Sequence, residues 1–330
     1  MHATTFTFRA LEELEPGPRW QALFHELWPS YRAWFLHEGE SARPSYAVSL
    51  RMLRTHMPEL VPTYDRLVEL AGGGDLEARM LSMWTPPAYI SGCSQGVWTR
   101  GEPVLVRNYD YAPSRFDGIV LSTAWTGRRV IGMSDSLWGL LDGINDAGLV
   151  VSLAFGGRRV VGDGFGVPLI VRYLLEVCET VADARAALER VPCNLAHTLT
   201  MVDRDGRVLT AYLSPDRGAL FSPVAAATNH QGEVEWSEHG AFTNTRERER
   251  CIVQMLEHDA TNAERFVAAF LAPPLLNSAY SRGFGTLYTA AYRPRAGRVT
   301  YLWPGSEWAQ TFAAFNEGTH PTSLVEPSAA

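Results

Sequence analysis

Blocks of strand-type and helix-type pattern that alternate without βαβ spacing predict an α+β protein, with antiparallel sheets covered by helices. Three observations carry that expectation. From Pro18 to about Trp84, apolar residues recur at helical spacing. Beyond Pro86-Pro87, short strand-like runs are separated by turn signals such as Asp117-Gly118. Two helical runs between Pro168 and Val191 then divide an earlier group of strands from a later one.

Elements follow in order. Trp20, Leu23, Phe24, Leu27, Trp28, Tyr31 and Trp34 mark one face of a first helix. Further helices are expected over Ser45 to Leu53, Tyr64 to Leu70 and Asp75 to Trp84, punctuated by Pro58, Pro62 and Gly72-Gly73-Gly74. Strands are expected over Val104 to Val106, Ile119 to Ala124, Arg129 to Ile131 and Leu149 to Phe155, with Asp142-Gly143 and Asp146-Ala147-Gly148 as turns. A helix pair opens at Pro168 and at Val181. The Asp203 to Gly206 turn joins His197 to Val202 with Arg207 to Leu213 in a hairpin. Ala225 to Asn229 reads as a short buried strand, Arg246 to Glu257 and Asn262 to Leu271 as helices, and Thr286 to Trp303 as a last hairpin. The tail after Asn316, with Pro321 and Pro327, is expected to fray.

A chain of 330 residues suffices for one large domain or two. With 46% apolar and 20% charged residues it is neither a disordered nor a membrane composition. The net charge of -7, with no clustered basic surface, argues against nucleic acid as a partner. Every basic residue outside histidine is arginine, so lysine Schiff-base chemistry and P-loop lysines are excluded. Cys93, Cys178, Cys193 and Cys251 lack metal-ligand spacing, which predicts reduced thiols and no structural zinc; no cofactor is expected either. Met1 to Pro16 has no apolar signal region and no run is long enough to span a membrane, so a cytoplasmic location is the expectation.

Chemistry concentrates at Gly92-Cys93. A thiol needs a base or a lowered pKa before it attacks a carbonyl, and a free α-amino group, with a pKa near neutrality, is one such base. Cys93 would gain that group only if the Gly92-Cys93 bond were cut. Arg107 and Asp110 follow at the end of the next strand. A cation there lowers a thiol pKa, and a carboxylate can hold an ammonium.

Gly92-Cys93-Ser94, followed by Val106-Arg107-Asn108-Tyr109-Asp110-Tyr111, resembles the N-terminal-nucleophile (Ntn) cysteine amidases, which include choloylglycine hydrolases and acid ceramidase. Within that superfamily the chain is most similar to the acyl-CoA:6-aminopenicillanate acyltransferase group (isopenicillin N acyltransferase, peptidase C45), which also carries a long segment ahead of the cysteine. The resemblance covers Tyr89 to about Trp303. It implies an αββα sandwich of two antiparallel sheets between helical layers, with residues 1–92 as a helical pro-segment or small subunit and 93–330 as the catalytic domain.

The same resemblance implies autocatalytic cleavage between Gly92 and Cys93, with Cys93 as nucleophile beside Arg107 and Asp110. Asp142-Gly143-Ile144-Asn145-Asp146-Ala147-Gly148-Leu149 resembles the family's asparagine segment and makes Asn145 a candidate oxyanion donor. Thr228-Asn229-His230 implicates Asn229. Thr245-Arg246 implicates Arg246, with Arg248 and Arg250 as alternatives on the same helix start. The implied substrate is a small-molecule N-acyl amide, with acyl-CoA as co-substrate if the enzyme is a transferase and the two fragments staying associated. Two other readings stand beside it: an uncut thiol hydrolase pairing Cys93 with His197 or His230, and a non-catalytic ligand-binding relative.

Overall fold

The computed structural model describes residues 2–326, with side chains from Thr5 onward. The chain opens with strand β1 (His2–Glu12), whose Phe6, Phe8 and Ala10 alternate with polar residues. Helices α1 (Pro18–Phe35), α2 (Tyr46–His56), α3 (Val61–Leu70) and α4 (Asp75–Leu81) follow. Pro18 starts α1, where its missing N–H costs nothing, and Ser45 caps α2 by accepting from Val48 N. Strands β2 (Gly92–Trp98), β3 (Val104–Tyr111), β4 (Ile119–Thr123), β5 (Val130–Asp135), β6 (Gly139–Asn145) and β7 (Val150–Phe155) come next.

Helices α5 (Val167–Val177) and α6 (Val181–Leu188) are the predicted pair, and α6 opens on a reciprocal Thr180/Asp183 capping box. Strands β8 (His197–Val202), β9 (Val208–Ser214), β10 (Arg217–Ser222) and the two-residue β11 (Ala226–Ala227) precede helices α7 (Ser237–Phe242), α8 (Thr245–Glu257) and α9 (Ala263–Ala269). Strands β12 (Gly285–Arg293), β13 (Arg298–Trp303), β14 (Ser306–Thr311) and β15 (Gly318–Glu326) close the described chain.

The strands form two sheets, a nine-stranded one ordered β10-β9-β8-β7-β6-β5-β4-β1-β15 and a six-stranded one ordered β11-β2-β3-β12-β13-β14. All ladders are antiparallel except β1 with β4. The sheets face each other, as Phe8 of β1 against Trp303 of β13 (centroids 4.8 Å apart) shows. The outer face of the six-stranded sheet, with Trp98, Val104, Val106 and Ala291, packs on Ile252, Phe266 and Phe270 of α8 and α9. Burying a side chain such as Ile252 stabilises by about 1.5–3 kcal/mol. On the far side of the nine-stranded sheet lie α5 and α6, joined by the N-terminal helices. Trp20 donates to Leu137 O, Thr63 to Trp125 O and Trp138 to Leu81 O across that junction. The result is the expected order of layers, helix, sheet, sheet, helix.

Three expectations need correction. The segment ahead of Cys93 is not wholly helical, because β1 is inserted between β4 and β15. Residues after Asn316 do not fray over 318–326, because β15 pairs along the full length of β1; Pro327 lies outside the described residues. Asp142-Gly143 is strand interior, not a turn. Asp142 is fully buried and ion-paired, and a side chain at Gly143 would come within 2.7 Å of Leu175 on α5.

Candidate active site

β2 and β3 pair with Gly92 opposite Asp110, Cys93 opposite Tyr109 and Gln95 opposite Arg107. Strand alternation therefore turns Cys93 and Arg107 toward the nine-stranded sheet and Asp110 toward α8. Gly92 shares the face of Asp110, and a Cβ there would lie 3.0 Å from both Asp110 Cβ and Phe284 Cζ, so a larger residue would have to push one of them aside.

On the inner side, Arg107 Nη2 donates to Cys93 Sγ at 3.4 Å. Its Nη1 donates to Tyr288 Oη at 2.7 Å and is ion-paired with Asp142. The Tyr288 and Tyr292 hydroxyls also donate to Asp142, and Arg107 lies over the Tyr109 ring at 4.7 Å. Arg107 and Asp142 are fully buried, so the pair is fixed by its surroundings and the guanidinium is aimed at sulfur. Cys93 is itself fully buried. Burial raises its thiol pKa, while Arg107 and then the Ser91 hydroxyl, 3.5 Å from Sγ, draw it back down.

On the outer side, Asp110 Oδ1 accepts from Thr286 Oγ1 at 2.7 Å, and Asp110 Oδ2 is 3.6 Å from Arg248 Nη1. Burial holds the Asp110 carboxyl above its ordinary value, opposed first by Arg248. Arg248 binds four further acceptors: Nη1 to Cys93 O at 2.6 Å and Ser94 Oγ at 2.8 Å, Nη2 to Asn229 Oδ1 at 2.6 Å, and Nε to Thr243 O at 2.6 Å. Asn229 completes the ring. Its Oδ1 accepts from Cys93 N at 3.0 Å, and its Nδ2 donates to Ser91 O and Phe155 O, both at 3.1 Å. Asn229 is positioned from behind by Thr245, whose Oγ1 accepts from Asn229 N at 2.8 Å.

Cys93, Arg107, Asp110 and Asn229, all named from the sequence, thus lie together around the Gly92-Cys93 bond. Two predicted residues are not in the cluster. Asn145 donates both Nδ2 protons to Leu175 O and Cys178 O and accepts from Leu149 N, so it tethers the end of α5 to the turn after β6. Arg246 is exposed, whereas Arg248 is buried. Helical periodicity explains why Arg248 rather than Arg246 reaches the cluster, because Thr245, Arg248 and Ile252 share the inward face of α8.

Neither histidine is hydrogen-bonded to the thiol. His197 Nδ1 lies 3.9 Å from Cys193 Sγ, and burial lowers its pKa to about 3. His230 is held between Thr245 Oγ1 at 2.9 Å and Glu249 Oε2 at 3.1 Å. The contacts of Asp142 and Tyr288 with Arg107, and of Thr286 with Asp110, were not anticipated. The one signal available was an acidic residue inside the apolar run Leu140-Leu141-Asp142. Among the described residues no group of three or more His, Cys, Asp or Glu could hold a metal ion.

A family model described as acyl-coenzyme A:6-aminopenicillanic acid acyl-transferase matches residues 98–308. The chain belongs to that family. The match begins just beyond Cys93 and takes in Arg107, Asp110, Asn229 and Arg248. Comparison with curated protein sequences gave no match. Among solved structures, similar ones include penicillin V acylase from Agrobacterium tumefaciens, 13% identical, covering 69% of this chain and 90% of that one, TM-score 0.48. The Caenorhabditis elegans ortholog of N-acylethanolamine-hydrolyzing acid amidase is 14% identical, with 62% and 93% covered and a TM-score of 0.45. A mutant conjugated bile acid hydrolase from Clostridium perfringens is 12% identical, with 71% and 97% covered and a TM-score of 0.42. For this acyl-transferase family member, the family supports amide hydrolysis or acyl transfer in general terms.

Proposed function

We propose that the chain is a self-processing cysteine amidase or N-acyltransferase acting on a small-molecule, linear N-acyl amide. The observation that carries this reading is the Cys93 nitrogen bound to Asn229 Oδ1 at 3.0 Å, in a residue whose thiol is 3.4 Å from Arg107. That nitrogen is an amide in the uncut chain and becomes the α-amino group once the Gly92-Cys93 bond is cut. The amine then takes the thiol proton, and sulfur attacks the substrate carbonyl to form an acyl-thioester. The substrate carbon–nitrogen bond breaks, the departing amine leaves with the proton held by the α-amino group, and water or a second amine, giving up a proton in turn, takes the acyl group from sulfur. Acyl-CoA fits as a co-substrate in the transfer direction.

Asn229 Nδ2 is the donor we assign to the developing oxyanion. One of its bonds goes to Ser91 O, in the segment that the cut separates from Cys93, so the substrate carbonyl takes the place of the Ser91 carbonyl. Arg248 holds Asn229 and Asp110 in register with Cys93, in the role first given to Arg246. Residues 1–92 form the smaller fragment and 93–330 the catalytic one.

Release of free amine from penicillins, fatty-acyl amides and bile-acid conjugates, with and without acyl-CoA, tests the reading. Turnover of at least one substrate that is abolished in C93A, and lowered roughly 100- to 1000-fold in N229A, is expected. Turnover that persists in C93A would contradict it.

A further inference from the structure

In the uncut chain neither a carboxylate nor an imidazole among the described residues is hydrogen-bonded to the Cys93 sulfur. The Cys93 backbone nitrogen is an amide that donates to Asn229 Oδ1, and His197 and His230 are bonded elsewhere. Two groups reach the sulfur: Arg107 Nη2, which donates at 3.4 Å, and at 3.5 Å the hydroxyl of Ser91, two residues earlier in the chain, which accepts from the thiol or donates to the sulfur once the S–H proton is gone. Ser91 is 1% exposed, so its hydroxyl is placed by the fold, and its carbonyl is gripped by Asn229 Nδ2. Its neighbour Ile90 is 39% exposed, so the segment passes to the surface immediately before Ser91.

We propose that Ser91 is a catalytic residue of self-cleavage alone, its hydroxyl stabilising the Cys93 sulfur until the cut carries it away on the amino-terminal fragment. The proposal rests on the self-processing reading above. In the step, Sγ bonds to the Gly92 carbonyl carbon, the carbon–nitrogen bond to Cys93 breaks, and the thiol proton ends on the Cys93 nitrogen. Water then attacks the thioester, the carbon–sulfur bond breaks, and Gly92 leaves as a carboxylate; one proton of the water returns to sulfur and the other goes to the new Cys93 α-amino group, making it an ammonium, or to solvent. Ser91 loses no atom; its O–H turns toward sulfur as the S–H proton departs. The thiol is therefore supported in two successive ways, by Ser91 with Arg107 before the cut and by the new α-amino group with Arg107 after it. The charged and titratable groups around the sulfur are Arg107 and Asp110 from β3, Arg248 from α8 and the Tyr89 hydroxyl from the segment before β2; the first three belong to the same fragment as Cys93 after the cut.

The test is a time course of fragment appearance by intact-mass spectrometry, from pH 6 to 9, for the parent protein, S91A and S91T, with melting temperatures measured in parallel. S91A is expected to cut roughly ten- to hundredfold more slowly, the range set by one hydrogen bond to a charged group. Its alkaline limb shifts to higher pH, and S91T restores the parent profile. If S91T fails to fold, the shift in S91A decides alone. A parent that cuts while S91A cuts equally fast, or a slowed S91A with an unmoved pH limb, would overturn the role of Ser91 and leave self-processing standing. A parent that never cuts would overturn the self-processing reading beneath it as well.

Discussion

Two buried arginine–aspartate pairs flank one peptide bond, Arg107 with Asp142 on the inner side and Arg248 with Asp110 on the outer. Their meaning differs from that of a surface ion pair, because removing one partner leaves the other charged and dry, at a cost of about 3–5 kcal/mol. R248A is therefore expected to lose both stability and amide turnover, while R246A, on the solvent face of α8, stays within about 0.5 kcal/mol of the parent. Urea denaturation and turnover of the two variants check this, and an inactive R246A beside an active R248A would reverse the assignment. Cys93, Arg107, Asp110 and Asn229 were legible because they lie in compact motifs. Arg248 was one of three equivalent-looking arginines in Arg246-Glu247-Arg248-Glu249-Arg250, and only the phase of α8 against the sheet distinguishes them. Asn145 misled because its turn resembles a family segment, while its amide serves α5.

At the level of elements, the helices and most strands of the middle of the chain followed from periodicity and caps. The two terminal strands did not. Phe6, Phe8 and Ala10 do alternate in β1, but its partners are β4 and β15, and pairing at such separation leaves no local mark. β15 is mostly polar on its exposed side and has few apolar residues to announce it. The end of β5 carries a further titratable element. Asp135 accepts from Ser136 Oγ at 2.7 Å, Tyr31 of α1 donates to Asp117 at 2.6 Å, and Ser136 N donates to Tyr31 Oη at 2.8 Å. Ser136 and Leu137 both adopt positive φ, of 55° and 72°. Burial holds both carboxyls above the ordinary range. The Asp117 charge adds to the rise at Asp135, while hydrogen bonds from Ser136 and Tyr31, and more distantly Arg107 and Arg9, oppose it. Because the folded pKa values lie above the unfolded value near 3.9, this element stabilises fully below that pH, and the contribution is lost as pH rises through the folded values. In D135N the loss of unfolding free energy between pH 5 and pH 8 is expected to be smaller than in the parent. Equal losses in the two proteins would remove Asp135 from the account.

For the whole molecule, the insertion of β1 between β4 and β15 and the burial of Trp20, Phe24 and Leu53 in the shared core bind residues 1–92 to the rest, as a strand within the nine-stranded sheet and as helices in the shared core. Once cut, the two fragments are expected to elute together in size exclusion at neutral pH and to separate only in denaturant; separation under native conditions would contradict this. No helix among the described residues is long and apolar enough to cross a membrane. The layered architecture was legible from the blockwise order of patterns, whereas the way the leading segment is woven into the sheet was not, since register between distant strands is a tertiary property. Whether Cys93 becomes an amino-terminal nucleophile, as proposed, is read by intact-mass analysis of purified protein after prolonged incubation, with Edman sequencing of the larger fragment. The expected result is a fragment beginning Cys93-Ser94-Gln95 that forms in the parent and not in C93A. An undivided chain that turns over amide substrates would contradict it.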